Sequence, residues 1–195
     1  MTFAALKAII SNMRICNLSS GSDGNLTYIE CGNTKVLVDD GLSSKETIKR
    51  LILLGVSPLD INAVLVTHEH SDHIKGIDNF CSKYNIPVYV HEDGLKPLEN
   101  KLTKHIRIIP FKDTGFEIDE LGVQSFAVPH DVVRCTGYSF YENQKKISIV
   151  TDLGHTTSEI INNLAGSTLV YLEANHDVQR LLNLSLIHIS EPTRH

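Results

Sequence analysis

The sequence predicts a single α/β domain, and three observations predict it. Short apolar stretches of strand length alternate with helical stretches along the chain, the pattern of helices laid over sheet faces. Glycines and a helix-capping signal punctuate that alternation where turns and helix ends are needed. The apolar stretch at residues 63–66 then runs without a break into a segment dense in histidine and aspartate. A chain of 195 residues suits one domain and can bury a sizeable core.

Residues 14–18, 26–31 and 35–39 read as three successive strands, with Gly21, Gly24 and Gly32 at the turns between them. Ser43-Ser44-Lys45-Glu46 is a capping box that opens a helix, Ser43 as N-cap and Glu46 three positions on. Ile48, Leu51, Ile52 and Leu54 share one side of that helix, and Gly55 ends it. Residues 63–66 form a buried strand, 74–84 a helix and 87–90 a further strand. Residues 123–128, 136–141 and 146–151 read as strands, the last two joined at 142–145. A short helix over 158–164 and a strand over 169–172 complete the pattern.

Composition narrows the class. Hydrophobic residues make up 42% and charged residues 21%, an ordinary globular balance rather than a disordered one. No apolar run approaches the ~18 residues of a membrane-spanning helix. Cys16, Cys31, Cys81 and Cys135 stand alone without CxxC spacing, so they read as reduced thiols, mostly core, in a cytoplasmic protein. The net charge of −5 does not advertise nucleic-acid binding. It does not oppose it either, because carboxylates that bind cations count toward that charge.

The chemistry sits in Thr67-His68-Glu69-His70-Ser71-Asp72-His73, where His68, His70, Asp72 and His73 fall within six residues directly after a buried strand. In extended backbone, residues two apart face the same way, so His68 and His70 can converge on one ion. A turn after them lets Asp72 and His73 address a second ion. A mixed imidazole and carboxylate set suits zinc-like cations and leaves room for water. A solvated loop with chance histidines is the bland alternative, and this spacing after such a strand argues against it. Downstream, His130 follows the alternating strand at 123–128, and Asp152 follows the one at 146–151. Both read as strand ends from which a rigid sheet can aim a side chain at a common point. His91 and His105 read as surface residues, and His155 carries no pattern.

The series His68-x-His70-x-Asp72-His73, His130 and Asp152 resembles the motifs of the metallo-β-lactamase superfamily. The flanks Ser19-Ser20-Gly21-Ser22-Asp23-Gly24-Asn25, Asp39-x-Gly41-Leu42-Ser43, Thr151-Asp152-Leu153-Gly154 and Leu172-Glu173-Ala174-Asn175-His176-Asp177 resemble its YycJ group, also called WalJ or VicX. The resemblance runs from Met13 to about Leu181. It implies an αββα sandwich and two divalent metal ions, zinc or manganese. His68, His70 and His130 would hold the first ion, Asp72 and His73 the second, and Asp152 would bridge. Asp72 would also serve catalysis by orienting water. It further implies a hydrolase of phosphodiester bonds, in this group a 5′–3′ DNA exonuclease linked to DNA repair, with DNA as partner. Glyoxalase-like thioesterases and other small-substrate hydrolases use nearly the same ligands and stay open as alternatives. Asn25 and the small-residue loop before it suggest a phosphate-binding turn, or simply a hairpin, and His176 is a candidate substrate contact.

The ends of the chain carry separate expectations. Residues 1–12 read as an upstream extension before Met13. Residues 184–195 resemble a translated sequencing-library adapter, so residues 1–183 would be an incomplete domain lacking its C-terminal part. The superfamily pattern calls for a further histidine in a Gly-His-Leu-Ser-like stretch, and none is present. On that reading an impaired or inactive fragment is a further outcome.

Overall fold

A computed structural model describes residues 7–10, 12–174 and, as backbone, 188–192. Two sheets face each other, and helices cover their outer sides. The first sheet has seven strands in chain order: β1 (Lys7–Ile10), β2 (Met13–Ser19), β3 (Leu26–Cys31), β4 (Thr34–Val38), β5 (Ala63–Leu65), β6 (Val88–His91) and β7 (Ile108–Phe111). Its first four strands are antiparallel neighbours, whereas β4 to β7 run parallel. Parallel neighbours need a crossover, and helices provide it: α1 (Ser44–Leu54), the pair α2 (Ser71–Ile74) and α3 (Ile77–Tyr84), and α4 (Glu92–Glu99). The second sheet contains β8 (Phe116–Ile118), β9 (Leu121–Val128), β10 (Cys135–Glu142), β11 (Lys145–Leu153), β12 (Leu169–Ala174) and β13 (His188–Pro192), with α5 (Ser158–Leu164) between β11 and β12.

Three apolar clusters hold these layers. The central one interleaves Ile15, Ile29, Val36 and Leu65 of the first sheet with Val123, Tyr138, Phe140, Ile149 and Tyr171 of the second. A second joins the outer face of the first sheet to Leu51, Phe80 and Leu98 of the helices. A third packs Ile160 and Leu164 of α5 on the outer face of the second sheet. The αββα order read from the resemblance is therefore the observed one. Two sheets packed face to face in this way give a rigid frame whose edge can hold a site.

Local signals explain most boundaries. Ser43 Oγ accepts the N–H of Glu46, and Gly55 ends α1 in the left-handed region at φ 81°. The side of α1 differs from expectation at one position. Leu51 is buried and Ile48 and Leu54 pack beside it, but Ile52 is 61% exposed. The expected helix over 74–84 is two helices broken at Lys75 and Gly76. A Cβ at Gly76 would fall 2.3 Å from Asp40 Oδ2, so the break lets a buried carboxyl approach the backbone.

Helix α4 and strands β7 and β8 were not expected. Gly94 and Pro97 lower the helix propensity of α4, and its N-cap is His91, an uncommon capping residue. Strand β1, within the expected upstream extension, pairs antiparallel with β2. The backbone of His188–Pro192 runs parallel to β12. Such pairing needs only backbone groups and is indifferent to the origin of the sequence. Among the described residues no helix is long and apolar enough to cross a membrane.

Candidate metal centre

The site lies beyond the carboxyl end of β5, where ligands collect in parallel α/β sheets. After β5 the chain bends at Thr67 and runs on to His70, whose backbone is at φ −64° and ψ 148°, before turning into α2. This stretch points His68 and His70 into one space, with ring centroids 4.6 Å apart. The helical turn lifts His73 behind them, 4.1 Å from the His68 ring. His130 arrives from the segment after β9, 4.9 Å from His68 and 5.2 Å from His70. Asp152 comes at the end of β11, as expected, one residue before the last, Leu153. It sits at a register shift between Val150 and Leu153, with φ 53°. A bulge of this kind re-aims a side chain out of the pleat, and it delivers the carboxylate to the histidines.

Two overlapping groups result. One atom each from His68, His70 and His130 lie within 4.8 Å of one another, and so do one each from His68, His73 and Asp152. Asp152 Oδ2 is 2.8 Å from His73 Nε2 and 3.7 Å from His68 Nε2. Asp72 stands at the mouth, its Oδ2 3.6 Å from His73 Nε2. His68, rather than Asp152 alone, is thus the residue common to both groups. Asn25 is buried. Its Nδ2 lies 2.9 Å from His73 Nε2, and its Oδ1 accepts the Gly21 N–H. With both ends engaged, it braces His73 instead of reaching into solvent. His176 lies outside the described residues.

Asp39 is the functional residue that the motif reading left without a role. It is buried at φ 61°, directly after β4. Its Oδ1 accepts the Thr67 N–H at 2.8 Å, and its Oδ2 accepts the Thr67 hydroxyl at 2.9 Å and His73 Nδ1–H at 2.7 Å. Since Thr67 spends its hydroxyl proton on Asp39, the His68 Nδ1 at 3.0 Å donates to Thr67 Oγ1. One carboxylate thereby sets two tautomers. Both histidines carry hydrogen on Nδ1 and turn Nε2 toward the cavity. The signal for this in the sequence was a polar Asp39 closing the apolar run of β4.

The electrostatics fit a cation. His68 Nε2 is buried without a hydrogen-bond partner, as a ligand nitrogen is. Burial, and then the positive charge of His73, push the His68 pKa down to about 2, so its lone pair stays available. Burial also lowers His73, but Asp39 and Asp152 outweigh it and raise its pKa to about 10. Burial raises Asp152, and the hydrogen bond and charge of His73 reverse that and hold it low. A proton between His73 and Asp152 thus occupies the position where a cation would bind. The donor set, imidazole with carboxylate, is that of zinc- and manganese-type ions.

Residues 20–188 match the metallo-β-lactamase superfamily. This chain belongs to that superfamily. It is 35% identical over 168 residues to the exodeoxyribonuclease YycJ of Bacillus anthracis, a match covering 84% of this chain and 63% of the relative. It is 36% identical over 172 residues to the exodeoxyribonuclease WalJ of Streptococcus pneumoniae, with the same coverage of each. The chain therefore spans about 63% of the length of these curated relatives. Among solved structures, the metallo-β-lactamase-fold protein YhfI of Bacillus subtilis superposes with a TM-score of 0.71 at 19% identity, covering 84% of this chain and 72% of that one. The short form of human tRNase Z gives 0.65 at 16% identity, covering 87% and 80%. These two likenesses are of fold.

One of the two histidines read as surface residues departs from expectation. His105 is exposed, as read from the sequence, but His91 is buried at the end of β6. It faces Asp113 and caps α4. An apolar strand ending in histidine gave no cue to that capping role. All four cysteines are buried and free.

Proposed function

We propose that this chain is the core of a two-metal hydrolase that cleaves phosphodiester bonds in DNA as a 5′–3′ exonuclease. The observation that carries the reading is the convergence of His68, His70, His73, His130 and Asp152 from three separate segments on one cavity, with Asp72 at its mouth. Support for the substrate class comes from the two relatives named exodeoxyribonucleases. In this reading His68, His70 and His130 hold one cation, Asp72 and His73 the other, and Asp152 lies between. Two divalent cations at such a site supply an activated water and neutralise charge on the attacked phosphate.

The protein's own groups do the rest. Asp39 and Thr67 hold the Nδ1 hydrogens of His68 and His73, so each Nε2 faces the cavity, and the proton that His73 shares with Asp152 would give way to a cation there. Asp72, half-exposed, has a carboxylate oxygen to orient the attacking water and accept its proton. Asn25 ties the Ser19–Gly24 turn to His73, which brings that turn to the rim where a phosphate enters. Buried free thiols suit a reducing compartment, so a cytoplasmic role in DNA repair is the setting we propose.

The test is digestion of 5′-phosphorylated linear DNA with manganese or zinc, followed by end-labelling to read polarity. Nucleotides released from the 5′ end, with loss in His68→Ala, is the expected result. Cleavage of lactoylglutathione with DNA left intact would transfer the chain to the thioesterases.

A further inference from the structure

We propose that Arg134, clasped by Asp113, is the positioning residue for His130. The proposal rests on the metal-centre reading only in taking His130 as a ligand. His130 has little to hold its own ring. Beyond the neighbouring imidazoles, its Nε2 faces only the exposed Asp131, at 3.0 Å. Its direction must therefore come from the loop between β9 and β10 that carries it.

That loop is fixed at both ends. At its start, Gly154 N–H donates to the Pro129 carbonyl at 3.0 Å, linking it to the segment after Asp152. In its middle, Asp131 and Val133 face solvent and Val132 rests against the third cluster. At its end, the Arg134 side chain is only 11% exposed and forms an ion pair with Asp113. Arg134 Nε also donates to Thr136 Oγ1 at 3.4 Å, and the Thr136 N–H donates to the Thr67 carbonyl at 3.0 Å. The same short stretch thus joins the His130 loop to the residue preceding His68.

Asp113 is itself held in place. It lies in the connection between β7 and β8, where the chain passes from one sheet to the other. Its Oδ1 accepts the Ser125 hydroxyl at 3.4 Å, and its Oδ2 is 3.5 Å from His91 Nε2. His91 Nδ1 accepts the Asp93 N–H at 3.2 Å, so the ring hydrogen sits on Nε2 and points at Asp113. A guanidinium fixes a carboxylate through a planar fork that an ammonium lacks. Asp113 is half-exposed, and an ion pair open to solvent on one side contributes little stability, so its value here is geometric.

Cobalt(II) titration of this chain, followed by visible absorption, tests the role without relying on nuclease activity. Arg134→Ala and Asp113→Asn are expected to weaken one of two cobalt equivalents by about ten-fold or more, the usual effect of removing a group that orients a ligand. The other equivalent should be unchanged. The double variant should be no worse than either single one, because the pair acts as a unit. Arg134→Lys should recover only part of the loss. A merely structural role would lower the melting temperature and leave cobalt affinity intact below it, and that result would overturn the proposal. A raised KM for DNA with unchanged cobalt binding would assign Arg134 to the substrate and overturn it as well. If Arg134→Ala does not fold, Asp113→Asn and Arg134→Lys decide. If the unsubstituted chain takes up no cobalt, the metal-centre reading fails and the proposal fails with it.

Discussion

The two halves of the candidate metal centre are built differently. His73 is buried and gripped on one nitrogen by Asp39, which also holds Thr67 through two hydrogen bonds. His70 and His130 are part-exposed and meet at the mouth, held by the segments they ride on. The first half derives from the parallel sheet, where β4 and β5 lie side by side and their ends cross-link. The second half spans the two sheets and depends on loops. One half is organised before any ion arrives, and the other is closed by contacts made at a distance from it.

Three substitutions sharpen that contrast. Asp39→Ala leaves a charged, buried His73 with Asp152 alone and strips the Thr67 N–H and hydroxyl of their acceptor. It should cost about 3 kcal/mol or more in urea unfolding, the usual result of breaking one side of a buried pair. His130→Ala, on the open half, should cost under about 1 kcal/mol in the same measurement, as part-exposed sites do. Equal losses would erase the distinction drawn between the halves.

Gly41→Ala probes the wall of the organised half. A Cβ there would meet the Asp72 carbonyl oxygen at 1.6 Å and the Asn25 nitrogen at 2.6 Å. Both are backbone atoms, and Asn25 N–H donates to that same Asp72 carbonyl at 2.7 Å. We expect a loss of about 2 kcal/mol, in the range of overpacking, and a weakened second cobalt equivalent. A variant with unaltered stability and cobalt binding would show that this wall is compliant.

A further test is a pH slope. Asp40 is fully buried, and burial raises its pKa from 3.8 to about 7 despite the Thr47 hydroxyl bonded to it. The folded chain therefore holds this proton across a window in which the unfolded chain has released it. Stability contributed by the protonated form is complete below the unfolded value and declines as pH rises toward 7. In chelator, the urea midpoint should fall between pH 4 and pH 7 more steeply for the natural chain than for Asp40→Asn. Parallel profiles would mean that Asp40 is ionised in the fold.

Much of this was legible in advance. Strand β3 and helix α5 begin and end where apolar pattern and capping signals place them, and the cluster around His68 announces a metal centre through local spacing alone. Helix α4 was not legible, because Gly94 and Pro97 oppose it locally and packing of Leu98 on the sheet overrides them. The left-handed backbone that aims Asp152 and the burial of His91 leave no periodic trace either.

The class of fold and the donor types gathered at the candidate site were readable locally, because alternation of apolar residues and the spacing of histidines act over a few residues. Only the tertiary structure decided which nitrogen of each histidine faces the cavity, that Asp39 sets that choice, and that Arg134 and Asp113 meet. Those outcomes depend on hydrogen bonds between residues up to 34 positions apart, as in the Asp39–His73 pair, and on two sheets meeting at one edge. Local pattern cannot encode such pairings. They form when burial of the central cluster brings the strand ends together and leaves Asp39, Thr67 and His73 within hydrogen-bonding reach of one another.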